Sequence, residues 1–129
     1  MKLSQINYKI RDRVEFELKD PLTNESFDNP AFITVLTIES AEGQKVKLDI
    51  ERMRIQREKD KLPLLDSNEL VNEARFLFKP LIVAFRGFEY EDGKNVKFDD
   101  KGIDFILQND IVAMSVWANA INEGNFLVK

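Results

Sequence analysis

Hydrophobic and polar positions alternate strictly over residues 13–20, RVEFELKD: Val14, Phe16 and Leu18 share one side, and Glu15, Glu17 and Lys19 the other. A period of two predicts a half-buried strand. Asp20-Pro21-Leu22-Thr23-Asn24-Glu25 is turn chemistry, with Pro21 fixing its own φ and Asn24 tolerating a left-handed backbone. The β-branched run at 31–38, AFITVLTI, predicts the antiparallel partner strand. The connection of about ten residues is long for a hairpin, which makes its tip a candidate mobile or functional segment.

A helical pattern follows. Ser40 is a candidate N-cap, and the helix is expected to reach about Lys61, with Pro63 beyond it. At 100° per residue, Val46, Ile50 and Met53 fall on one face, while Leu48, Ile55 and Leu62 fall on the opposite one. The first stripe is core-like. The second repeats every seven residues, and two readings fit it: a helix sandwiched inside the domain, or a face offered to a partner helix.

Residues 67–88, SNELVNEARFLFKPLIVAFRGF, hold the densest apolar run. Leu70, Ala74, Leu77, Leu81 and Phe85 form a helical stripe, and between Phe76 and Phe85 only Lys79 and Pro80 interrupt the apolar character. The pattern predicts a central helix buried on nearly every side, N-capped by Ser67 and kinked at Pro80. Beyond Gly87, Asp92-Gly93 between Tyr90 and Val96 predicts a short hairpin. Asp99 or Asp100 caps a short helix, and Asn109 or Asp110 a final one over 111–123. The polar side of that last helix is narrow (Ser115, Asn119, Asn122, Glu123), so Met114, Trp117, Ala118 and Ile121 are expected to be buried, with Phe126 and Leu127 folding back on the core.

These elements predict an α+β fold of one domain over residues 1–129. Its parts are a loosely held lead-in (1–12), an N-terminal antiparallel strand pair, a long charged helix, a buried central helix, a small β-hairpin and C-terminal helices, around a mainly helical core. An apolar content of 43% against 33% charged residues suits a globular chain of this length.

Composition narrows the chemistry. The chain has no cysteine and no histidine. Disulfides and thiolate sites are therefore excluded, and the commonest general base and metal ligand are missing. No apolar run reaches a membrane span, and the start lacks a signal-peptide core, so a cytoplasmic protein is expected. Residues 45–61 carry seven Lys or Arg against four acids, an excess of +3 that leaves −7 for the rest of a chain of net charge −4. With acids interleaved and no aromatics among the bases, that segment argues against a nucleic-acid binder. Nucleotide-binding, nucleophile-elbow and zinc-protease motifs are absent. Glu89, Glu91, Asp92, Asp99 and Asp100 are the only candidates for metal or general-acid work, and turns and caps already call for acids there. The expectation is no enzyme activity, no catalytic residue, no cofactor and no metal. The candidate site is a protein-binding surface of Leu48 and Ile55 ringed by Lys45, Arg52 and Lys59; self-association of the chain is a separate open possibility.

The order of the pieces resembles the tail assembly chaperones of long-tailed bacteriophages. Four features carry the resemblance: the early strand entering Asp20-Pro21-Leu22-Thr23-Asn24-Glu25, the β-branched strand leading into a charged helix, Ala84-Phe85-Arg86-Gly87-Phe88 followed by Asp92-Gly93 and Phe98-Asp99, and a last helix closed by Asn125-Phe126-Leu127. Ala84 and Phe85 stand where that family has Gly-Trp. The resemblance implies a protein that binds the tape measure protein, keeps it soluble, recruits tail tube subunits and leaves the finished virion. It also implies that a frameshifted longer form can exist in relatives. Competing classes are a head–tail joining or tail-terminator component and a small nucleic-acid-binding regulator.

Overall fold

A computed structural model describes residues 9–10, 12–123 and 127–128 of the chain. Most of the expected lead-in (1–8 and 11), Gly124, Asn125 and Phe126 lie outside the described residues. Within the lead-in, β1 (Lys9–Ile10) pairs antiparallel with β5 (Leu127–Val128).

The strand pair forms as its alternation dictates. β2 (Arg13–Glu17) runs antiparallel to β3 (Phe32–Leu36), in a register that sets Val14 against Val35 and Phe16 against Ile33. Ile33 and Val35 are fully buried, and Val14, Phe16 and Leu18 pack on the same core. The connecting loop is tied by its own turn residues. Asp20 accepts from the Leu22 amide at 2.9 Å, Asn24 takes φ +59°, and Lys19 and Ser26 form a bridge below the tip. Leu22 at that tip is 94% exposed.

α1 (Ala41–Lys59) starts where Ser40 Oγ accepts from the Gly43 amide at 2.9 Å while donating to the Thr37 carbonyl at 2.6 Å. The first turn presses on the strand exit, since a Cβ on Gly43 would stand 2.0 Å from the Thr37 oxygen. α1 ends through Asp60 and a left-handed Lys61 (φ +57°), and the Leu62 amide reaches back to the Arg57 carbonyl at 2.9 Å.

The stretch expected to be one buried helix splits into three. α2 (Ser67–Ala74) ends early, a 3₁₀ turn follows over Arg75–Leu81, and Ile82–Arg86 is strand β4. Pro80 is the physical reason. It has no amide to continue an α-helix, its ring crowds the preceding turn, and the β-branched Ile82 and Val83 just beyond suit a strand. β4 joins the far edge of β3, completing an antiparallel sheet of order β2-β3-β4. Nor is the run buried all round: Phe78 and Leu81 are fully buried, but Phe76 is 51% exposed. The cap also moves by one residue. Asp66, not Ser67, accepts from the Glu69 amide at 2.8 Å, and the Glu69 carboxylate takes the Asp66 amide at 3.3 Å, a reciprocal capping box.

The Asp92-Gly93 turn is present, its strands reduced to one bridge between Glu89 and Asn95. Asp99 caps α3 (Asp100–Leu107), accepting from the Gly102 amide at 2.8 Å. Asn109 caps α4 (Asp110–Glu123), accepting from the Ile111 amide at 2.9 Å. α4 sits rotated from expectation: Val112, Ala113, Val116 and Ala120 are buried, whereas Met114 and Ala118 are exposed and Trp117 is half-buried. The Trp117 ring stacks on Phe78 with centroids 5.2 Å apart, and Ser115 and Asn119 face the 16–24 segment across a shallow groove.

Arg75 ties the helical layer together. Its side chain, 13% exposed, donates to the Leu107 carbonyl at 3.2 Å and the Gln108 carbonyl at 2.7 Å, and also meets the Asn72 and Asp110 side chains. Those carbonyls close α3, where intrahelical donors run out and the helix dipole favours a cation. One guanidinium thus joins α2, α3 and α4.

Candidate partner-binding site

α1 presents two apolar faces with opposite fates. Val46 (2% exposed) and Ile50 (4%) are sealed into the core, with Met53 half-buried beside them. On the other side Leu48, Ile55 and Leu62 are 45%, 52% and 48% exposed. No described residue covers them as a sandwich would. The interior of the domain therefore does not account for the second stripe.

Spacing fixes the layout of the face. Seven residues are two helical turns, so Leu48 and Ile55 point the same way about 10 Å apart. The left-handed turn at Lys61 carries Leu62 past the helix end, and Leu64 beyond it is 77% exposed. Lys45, Arg52 and Lys59 are all exposed and share one flank of the stripe, so the structure brings the five expected site residues together on one side of α1. Arg52 is only loosely engaged, 3.8 Å from Asp49 across one turn. Glu51 and Glu58 are exposed along the opposite flank.

Two shallow cavities adjoin the face. One of about 410 Å³ is lined by Gln44, Lys45, Lys47, Leu48 and Glu51. The second, about 310 Å³, lies where α1 meets the 3₁₀ turn and includes Lys45, Val46, Phe76, Leu77 and Pro80. Lys45 lines both. Phe76 is a surface residue that the sequence did not point to, because the dense apolar run placed it inside a buried helix. The one available signal was Pro80, which ends that helix.

Elsewhere, the acidic side chains of the 92–104 segment are engaged in building the fold. Asp92 accepts from the Lys94 amide at 2.9 Å, Asp99 caps α3, and Asp100 and Asp104 hold Lys79 at 3.8 and 2.8 Å. Asp104 raises the Lys79 pKa above 10.5, chiefly through that hydrogen bond and against a desolvation effect that lowers it. Among the described residues no three His, Cys, Asp or Glu side chains cluster as a metal site. Nor is any described helix long and apolar enough to cross a membrane. A third cavity, about 380 Å³ and mostly apolar, lies between Leu18, Phe88, Phe105, Ile106 and Val112, with Gln108 and Asn109 also lining it.

Comparison of the chain with protein-family models, with curated proteins and with solved structures finds no match in any of the three.

Proposed function

We propose that this chain is a tail assembly chaperone acting in the host bacterial cytoplasm. It binds the tape measure protein through the outer face of α1, keeps it soluble, recruits tail tube subunits, is not retained in the virion and catalyses no reaction. The observation that supports this reading is the solvent-facing pair Leu48 and Ile55 on a helix whose other face is sealed in the core, with Leu62 exposed just past the helix end. A tape measure chain offers long amphipathic helices, and a helix face with seven-residue anchors is a natural complement. Burying the remaining exposed surface of Leu48 and Ile55 supplies on the order of 1 kcal/mol each. Lys45, Arg52 and Lys59 add steering toward an acidic flank, an effect that salt weakens.

The test is co-expression with the tape measure protein encoded beside it, followed by affinity capture. Wild type should solubilise and co-purify with that protein, and Leu48→Glu/Ile55→Glu should lose capture with an unchanged melting temperature. An insoluble, uncaptured tape measure protein refutes the reading. A fixed-size oligomer found in purified particles points instead to a head–tail joining or tail-terminator component.

A further inference from the structure

The charges nearest the α1 stripe are sorted by side, with the exposed Lys47 and Arg54 further round on the acidic side, about 100° from Leu48 and Ile55. On a helix, a position three residues on lies about 60° to one side of its reference, and a position four residues on about 40° to the other. From Leu48 and Ile55, three residues on are Glu51 and Glu58, and four residues on are Arg52 and Lys59. Lys45, three residues before Leu48, joins the basic side. All of these side chains are exposed, and the face that α1 buries, Val46 and Ile50, lies on the far side of the helix.

Such a surface is complementary to itself in only one orientation. A two-fold axis parallel to α1 sets the acidic flank of one helix against the basic flank of the other. Glu51 then meets Arg52 of the second copy, and Glu58 meets its Lys59, each pairing occurring twice. A two-fold perpendicular to α1 instead sets bases on bases and acids on acids. The two domains stand on opposite sides of the helix pair, because each stripe points away from its own core. We propose that a second copy of this chain occupies the stripe, α1 packing parallel and in register with its counterpart through Leu48 and Ile55.

The seam is short. Two apolar layers on two helical turns fall well below the roughly 1,600 Å² of a standard stable interface. The dimer is therefore a reversible, concentration-dependent cover. It keeps an apolar face from non-specific contact and yields it to a longer partner helix that offers more layers. That displacement rests on tape-measure binding through the same stripe; the pairing itself does not.

Sedimentation equilibrium over a wide concentration range tests the pairing. Wild type should shift from monomer to dimer, less so in high salt. Glu51→Arg/Glu58→Arg and Arg52→Glu/Lys59→Glu should each weaken dimerisation about tenfold or more, and mixing the two should restore it as a heterodimer. Circular dichroism checks that each variant is folded. The chain has no native cysteine, so Leu48→Cys and Ile55→Cys give a clean geometric probe: mild oxidation should link each to its own counterpart, whereas an antiparallel pair sets at most one of the two positions against itself. A wild type that stays monomeric at millimolar concentration overturns the proposal. So does a mixture no tighter than its components, or the failure of either cysteine variant to cross-link. A dimer that persists while tape measure capture fails would sink the chaperone reading and leave this one standing.

Discussion

Replacing Arg75 by alanine tests whether one guanidinium holds three helices. Viewed only as an ion pair with Asp110, which is 67% exposed, the contact contributes about 0–1 kcal/mol. The structure puts most of its contribution elsewhere. Arg75 donates to the Leu107 and Gln108 carbonyls, and its nearly buried stem packs between α2 and the α3–α4 junction. Hydrogen bonds to a charged donor contribute about 1.5–3 kcal/mol each before rehydration. Gln108 is exposed and its carbonyl regains water, whereas the Leu107 bond is part-buried and its acceptor does not fully recover. A net loss of about 2–3 kcal/mol is expected for Arg75→Ala, a fall in melting temperature on the order of 10 °C. Asp110→Asn should lose under about 1 kcal/mol. Urea denaturation followed by circular dichroism measures both; added salt should shrink the Asp110→Asn difference, an exposed ion pair, and leave most of the Arg75→Ala difference, because the carbonyl bonds are poorly screened. Arg75→Ala and Asp110→Asn melting within a degree or two of each other would refute the reasoning.

Three further outcomes follow from single contacts. Gly43→Ala should destabilise by about 1–2 kcal/mol despite alanine's better helix propensity, because its Cβ meets the Thr37 carbonyl; equal or higher stability in a thermal melt would show that the strand exit yields easily. Phe78→Ala removes a fully buried ring stacked on Trp117 and should cost about 3–5 kcal/mol, with a changed tryptophan emission as a local readout; an unchanged spectrum would place the stack elsewhere. The Lys79 pKa is raised in the folded state, so its stabilising effect is present below the ordinary value of 10.5 and fades as pH rises through the folded value. Asp104→Asn should lower the Lys79 pKa followed by NMR and flatten the alkaline arm of the stability curve; an unmoved titration would discount the pair.

Local signals in the sequence account for the strand pair, the Ser40 and Asp99 caps and both ends of α1, because alternation, cap chemistry and the 3.6 period act over a few residues. The central stretch differs. An apolar run from Phe76 to Phe85 is compatible with a buried helix or a buried strand, and periodicity alone does not separate them. Pro80 stops a continuous helix, and β3, about fifty residues upstream, supplies the free edge that accepts Ile82–Arg86. The rotation of α4 has the same origin, since Met114 faces outward according to which neighbours dock on the helix. For the candidate site, sequence supplied the sevenfold stripe and its charged border. Whether the stripe was covered depended on the whole arrangement, and the exposure of Phe76 depended on where a helix stopped. Asp66 displacing Ser67 as cap is a smaller case: both side chains can accept the bond, and the reciprocal return from Glu69 selects Asp66.

The opposition of the two α1 faces also bears on how this protein can evolve. Val46 and Ile50 answer to the core, while Leu48, Ile55 and the charges beside them stand at the surface. Substitutions along the outer face are nearly neutral for stability, since surface changes away from special contacts stay within about 0.5 kcal/mol. On the proposed function, recognition can therefore drift with a changing partner, one exposed position at a time, while the fold beneath stays fixed.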